Sequence, residues 1–149
     1  MLIDFHCHSR ASDGALTPQE LLERARCNDI RMLAITDHDT VAGYRQAAQS
    51  IEACGADLQL VPGVEFSCRW SGTTVHIVGL GVDVEHPTML QGLAEMERAR
   101  RERGAKIASR LAARGFDGAL QGALAEAGDS QLGRPHFSAW MVSRGLVAD

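Results

Sequence analysis

Three short apolar strands, Leu2 to Cys7, Met32 to Ile35 and Leu58 to Val61, alternate with two helical segments, and this order strongly restricts the fold. Strands joined by crossovers of that length pair in parallel, with the helices packed on the sheet, so the chain is an α/β protein. The first strand sets Ile3, Phe5 and Cys7 against Asp4, His6 and His8. With period two, one face packs and the other stays polar. Ser12-Asp13-Gly14 then reads as a turn. Thr17-Pro18-Gln19-Glu20 reads as a capping box, with proline at the first position of a helix that runs to about Asn28. A second helix, from about Val41 to Cys54, is expected to end at Gly55. Val64 to Cys68 and Thr73 to Leu80 flank Trp70-Ser71-Gly72 as a strand-turn-strand element, which puts four or five strands before residue 82.

The pattern changes at His86-Pro87. From Thr88, with Gln91 as capping partner, helical periodicity continues to Gly115 and is weakened in its middle by Gly104. A shorter helix covers Ala119 to Ala127 and ends at Gly128, and another runs from Pro135 to Gly145. The expected organisation is an α/β part over residues 1–86 and a helical part over residues 87–149.

A length of 149 residues suits a compact domain, and a net charge of −4 argues against a surface that coats nucleic acid. The polar start Asp4-Phe5-His6 leaves no room for a signal peptide, and no apolar run approaches the ~18 residues of a membrane span. A cytoplasmic protein is the expectation, with no membrane and no obligate protein partner. Cys7, Cys27, Cys54 and Cys68 lack Cys-x-x-Cys spacing and read as reduced, structural residues.

The chemistry lies at the ends of the strands. His6 and His8, two apart on a strand, share a face and could converge on one cation; alone they are equally an edge-strand pair. Asp13 follows in the turn. Thr36-Asp37-His38-Asp39 follows the second strand, where sites of parallel α/β folds assemble; Asp37, Asp39 or Thr40 could instead cap the next helix. Glu65, between Val64 and Phe66, and His76, between Val75 and Ile77, sit in apolar surroundings that make an unpaired polar group costly. A buried neutral histidine bonded to backbone is the plainer reading of His76 by itself. Taken together, His6, His8, Asp13, His38, Glu65 and His76 exceed what one tetrahedral zinc needs. Mixed imidazole and carboxylate donors suit Mn²⁺, Zn²⁺ or Fe²⁺, in a cluster of two or three ions with Glu65 bridging. Such clusters generate hydroxide at neutral pH and support displacement at phosphorus.

The motifs Asp4-Phe5-His6-Cys7-His8-Ser9 with Ser12-Asp13-Gly14, Ile35-Thr36-Asp37-His38-Asp39-Thr40, Pro62-Gly63-Val64-Glu65-Phe66-Ser67 and His76-Ile77-Val78-Gly79-Leu80-Gly81 follow one another in this order. With them the chain resembles the polymerase and histidinol phosphatase (PHP) superfamily of metal-dependent phosphoesterases. It is most similar to the TrpH/YciV type, which includes 3′,5′-nucleoside bisphosphate phosphatases and 5′-to-3′ exoribonucleases on short RNA. Gly133-Arg134-Pro135-His136-Phe137 resembles a motif in that subgroup's helical insertion.

The resemblance implies the N-terminal part of a distorted (β/α)7 barrel followed by a helical insertion. The family's later ligand motifs, a His-Pro after a strand and an Asp-x-His, have no counterpart here, so the C-terminal barrel strands are expected to be absent. It also implies metal ligation by the six residues above, an orienting role for Asp37 and substrate contacts from Arg134 and His136. The implied activity is hydrolysis of phosphate esters of nucleotides or short oligonucleotides by metal-activated hydroxide. A histidinol-phosphate-type phosphatase and a catalytically incomplete binding fragment are the alternatives. Between Glu95 and Arg114 the chain carries four more positive than negative charges, a stripe that could attract a substrate phosphate; a solvated helix face is its plainer reading.

Overall fold

The computed structural model of the chain describes residues 1–51 and 57–148. The described elements are β1 (Leu2–Cys7), α1 (Pro18–Cys27), β2 (Ile30–Ile35), α2 (Ala42–Ser50), β3 (Gln59–Trp70), β4 (Thr73–Leu80), α3 (Pro87–Ala112), α4 (Ala119–Ala127) and α5 (Arg134–Ser143). The chain divides into two compact units, Met1–Leu93 and Ala94–Asp149, and the division falls within α3.

In the first unit the strands lie side by side in the order β1-β2-β3-β4, the first three parallel and β4 antiparallel to β3. Helix α1 begins where expected. Thr17 accepts the Glu20 N–H, and the Glu20 carboxylate accepts the Thr17 N–H at 2.7 Å. Its apolar side, with Leu22 and Ala25, packs with Ala47 of α2 onto Leu33 and Ile35 of β2 and onto Leu58. That layer closes one side of the sheet. The helix expected to end at Cys54 with Gly55 as its cap has described residues Ala42–Ser50, and both Cys54 and Gly55 lie outside the described residues.

Two strands expected at Leu58 to Val61 and Val64 to Cys68 are one continuous strand, β3. Pro62 pairs with Ile35 at the end of β2, whereas Gly63 already pairs with Leu80 of β4. The Pro62 carbonyl accepts the Gly81 N–H at 2.8 Å. Pro-Gly therefore marks a change of partner and not a change of direction, as suits a residue that has no N–H for the ladder. A Cβ on Gly63 would sit 2.9 Å from Thr36 Cγ2, so the end of β2 requires glycine there. As a result Glu65 lies inside a strand rather than at its end.

Helix α3 starts at Pro87, one residue before the expected Thr88. Proline suits the first helical turn, and the imidazole of His86 accepts the Thr88 N–H at 3.2 Å. Gly104 does not merely weaken this helix. It is buried, and a Cβ there would meet Leu132 Cδ2 at 2.5 Å. Helix α4 puts Ala119, Ala123 and Ala127 on one stripe, which with Leu132 and Phe137 forms the core of the second unit. Gly122 lets the Trp140 ring lie directly against α4. Helix α5 begins at Arg134, with Pro135 following, and its cap is Gly133. Among the described residues no helix is long and apolar enough to cross a membrane. Cys7, Cys27 and Cys68 are free thiols.

Candidate metal centre

The ends of β1 and β2 carry the polar groups to β3. Thr36 continues the parallel ladder by donating its N–H to the Cys7 carbonyl at 2.8 Å. Beyond it the backbone of Asp37 and Asp39 brackets Glu65: the Glu65 N–H donates to Asp37 O at 3.2 Å, and the Asp39 N–H donates to Glu65 O at 2.9 Å. His38 is thereby placed opposite Glu65. Asp39, with φ of 54°, turns back so that its carboxylate accepts the Ser67 N–H at 2.7 Å. On the other flank, β4 places His76 opposite Ser67, within reach of the Glu65 side chain.

All six expected ligand residues come together around Glu65. Glu65 Oε2 lies 2.7 Å from His6 Nε2 and 2.8 Å from His8 Nε2, while Oε1 lies 2.8 Å from His76 Nδ1 and 3.9 Å from His38 Nδ1. His8 turns its other nitrogen to Asp13 Oδ1 at 2.8 Å, and Asp13 Oδ2 is 3.7 Å from His38 Nε2. The rings of His8 and His38 meet edge to face at 4.6 Å, as do those of His38 and His76 at 4.8 Å.

Burial by itself would raise the Glu65 pKa. The His6 hydrogen bond, the His38 charge and the His8 contacts outweigh it and hold the carboxyl below its usual 4.5. Asp13 behaves alike: burial raises its pKa, but the hydrogen bond from His8 and the charges of His38 and His8 bring it below 3.8. Both groups are carboxylates at neutral pH. Burial raises the Asp37 pKa, only partly offset by hydrogen bonds from Ser9 and Ser12. Burial, reinforced by Asp4 and Asp37, pushes the Cys7 thiol up to about 12, and the thiol donates to the Ala34 carbonyl at 3.4 Å.

The donor set fits divalent cations. Three groups, His6-His8-Glu65, His8-Asp13-His38 and His38-Glu65-His76, each hold their ligand atoms within 4.8 Å of one another. Donors around one tetrahedral ion lie roughly 3.3 Å apart, so each group can close on a cation with small rotamer changes. Glu65 offers one oxygen to each outer group. Asp4 accepts the His6 N–H at 3.1 Å and stands outside all three.

The N-cap of α2 is Val41, which has no side-chain cap, and Thr40 Oγ1 just before it accepts the Ala42 N–H at 3.1 Å. Asp37 instead faces Ser9 and Ser12, accepting from Ser9 N at 2.7 Å, Ser9 Oγ at 2.6 Å and Ser12 Oγ at 2.7 Å. Sequence reasoning missed these serines, together with Gly43, where a Cβ would overlap the Asp37 carboxylate. Ser9 and Ser12 lie in the quoted motifs, but nothing local links them to a residue 28 and 25 positions away. In the second unit Arg134 is exposed. The imidazole of His136 accepts the Gly133 N–H at 3.0 Å on Nδ1 and lies 3.2 Å from Ser130 Oγ on Nε2, capping its own helix.

The PHP domain model matches residues 4–129 of the chain. A 5′-3′ exoribonuclease Rnm of Salmonella typhimurium is 43% identical over 99% of this chain and 50% of its own length. A 3′,5′-nucleoside bisphosphate phosphatase of Chromobacterium violaceum is 40% identical over 99% of this chain and 51% of its own. A solved structure from Chromobacterium violaceum, described as an amidohydrolase with bound sulfate, superposes with a TM-score of 0.87 at 39% identity, covering 100% of this chain and 52% of that one. The chain thus spans about half the length of the relatives it matches.

Proposed function

The chain belongs to the PHP domain family, and from that premise we propose that it forms the metal-holding half of a divalent-metal-dependent phosphoesterase. Its substrates would be nucleotides or short oligonucleotides, such as a nucleoside 3′,5′-bisphosphate or an RNA 5′ end. A cytoplasmic setting suits them. The observation that carries this reading is the convergence of four imidazoles and the Asp13 carboxylate around Glu65. His6, His8, Asp13, His38, Glu65 and His76 would hold two or three Mn²⁺, Zn²⁺ or Fe²⁺ ions, with Glu65 shared between groups. When bound, these cations supply Lewis acidity toward phosphoryl oxygens and lower the pKa of water. Glu65 and Asp13, ionised at neutral pH, balance part of the cationic charge. Asp37 would orient the turn that leads from Ser9 to Asp13 through its bonds to Ser9 and Ser12. In the helical part, residues 87–149, Arg134 at the start of α5, exposed, would grip a substrate phosphate through its guanidinium. His136, whose ring nitrogens meet the Gly133 N–H and Ser130 Oγ, would serve that contact by fixing the start of the helix.

Residues 1–86 would be the first part of a distorted (β/α)7 barrel. The outer strands support this. Leu2 and Ile3 on β1 and Val75, Ile77, Val78 and Leu80 on β4 are exposed, and a cavity of about 440 Å³ flanked by Leu16, Leu21 and Leu33 lies beside β1. Such surfaces suit further strands and helices alongside.

The test is phosphate release from 3′-phosphoadenosine 5′-phosphate with Mn²⁺. It is run on this chain and on this chain joined to the C-terminal half of the Chromobacterium violaceum relative. Metal binding by both and hydrolysis by the joined protein are expected. Hydrolysis by neither overturns the assignment.

A further inference from the structure

A buried polar unit lies behind the ligand cluster. Ser9, Ser12 and Asp37 are 0%, 3% and 1% exposed, so the Asp37 carboxylate has no water to rely on and is held by the two serines. Both partners of each bond belong to segments that carry ligands: Asp37 adjoins His38, while Ser9 and Ser12 flank the turn between His8 and Asp13. Ser9 O gathers the turn, accepting the N–H of Ser12 at 3.1 Å and of Gly14 at 2.9 Å, while the Arg10 N–H closes its base on Leu16 O at 2.8 Å. Its far side meets β2's extension through Ser12 Oγ on Asp37 at 2.7 Å and through Asp13 Oδ2, 3.7 Å from His38 Nε2, and Ser12 Oγ also reaches Asp13 Oδ1 at 3.4 Å. Gly43 of α2 roofs the pair, because a Cβ there would overlap Asp37 Oδ2 and come within 2.5 Å of Ser9 Oγ. Gly14 is crowded in the same way against the His8 carbonyl.

We propose that Ser9, Ser12, Asp37 and Gly43 form a positioning device that sets Asp13 against His8 and His38, and so governs the His8-Asp13-His38 metal group in preference to the other two. The inference rests on the metal reading above. Asp13 belongs to that group alone, whereas Glu65 serves both others from the interior of β3. Loosening the turn therefore displaces one ligand from one group and leaves His38-Glu65-His76 supported by β3 and β4.

The experiment is Mn²⁺ titration of this chain, read as equivalents bound, with amide exchange of the metal-free chain alongside. Ser12→Ala should bind one fewer equivalent, or bind it at least tenfold more weakly, as Asp13→Ala should. The double variant should lose nothing more, and Ser12→Thr, which restores a hydroxyl, should recover the loss. Gly43→Ala, which crowds Asp37 without removing a donor, should reproduce the Ser12→Ala loss. In metal-free Ser12→Ala the Ser12 and Gly14 amides should exchange at least tenfold faster, with β2 unchanged. Equal weakening of every binding step, or binding indistinguishable from the parent, overturns this inference while the metal reading stands. A parent chain that binds no Mn²⁺ overturns both.

Discussion

The two compact units both bury an apolar cluster, but the first adds a set of buried polar groups to it. In Met1–Leu93 the buried set includes Ser9, Ser12, Thr36, Asp37, Asp39 and Glu65, each tied to another segment by hydrogen bonds or ion pairs. In Ala94–Asp149 the described core is Ala119, Ala123, Ala127, Leu132 and Phe137, which closes by contact of small and apolar groups. Polar burial costs a few kcal/mol per group unless partners are exact in place, so it specifies geometry at the expense of tolerance. Close packing around alanine and glycine specifies only distance. The unit that carries the six candidate ligands is the one that adds directional bonds to its apolar core.

The strongest way to break this contrast is to remove the acceptor on which the first unit converges. Glu65→Ala should abolish hydrolysis in the joined protein and lower bound Mn²⁺ per chain, and His38→Ala should do the same. Unchanged metal stoichiometry in both variants would refute the cluster. The matching change in the second unit is Phe137→Ala, which deletes the largest side chain of its core. It should cost about 3–5 kcal/mol of stability in that unit by chemical unfolding. Metal bound at neutral pH should stay at the parent's level.

What could be read in advance follows the same divide between local and distant causes. Helix α1 was legible because Thr17, Pro18 and Glu20 set its start within four residues, and α4 because its alanine spacing and Gly128 are local too. The six ligand candidates were legible as residues, since strand periodicity puts His6 and His8 on one face and apolar neighbours mark Glu65 and His76. Their clustering with Glu65 as the shared carboxylate was expected as well; the means was not, because it depends on His38 lying opposite Glu65 across strands. The continuity of β3 was hidden for a related reason: Pro62-Gly63 looks like a break until β4 takes over the pairing. The capping role of His136 was hidden as well, behind a motif that suggested phosphate.

Gly104 sharpens the contrast from the packing side. Alanine in place of an interior helix glycine gains about 1 kcal/mol of helix propensity. Here the added Cβ meets Leu132 Cδ2 at 2.5 Å, and overpacking of that kind costs about 1–3 kcal/mol. The second should win, so Gly104→Ala should lower the unfolding midpoint modestly. Leu132→Val in that background, which shortens the opposing side chain, should return part of the loss. A Gly104→Ala chain more stable than its parent would show that the second unit is not close-packed at this point.

The smallest effect separates the caps of the two units, a carboxylate on α1 and an imidazole on α5. Hydrogen bonds from the Thr17 backbone and then from its side chain hold the Glu20 carboxyl below its usual 4.5. A depressed folded-state pKa contributes stability that is fully present above the unfolded value and is lost as pH falls through the folded value. Glu20→Gln keeps the shape of the cap and removes the charge. It should therefore lower the melting temperature slightly at pH 7, and the difference from the parent should close as pH falls below 4.5 toward the folded pKa. A difference that persists undiminished at pH 3 would mean that the Glu20 side chain supports α1 through packing rather than as an ionised acceptor.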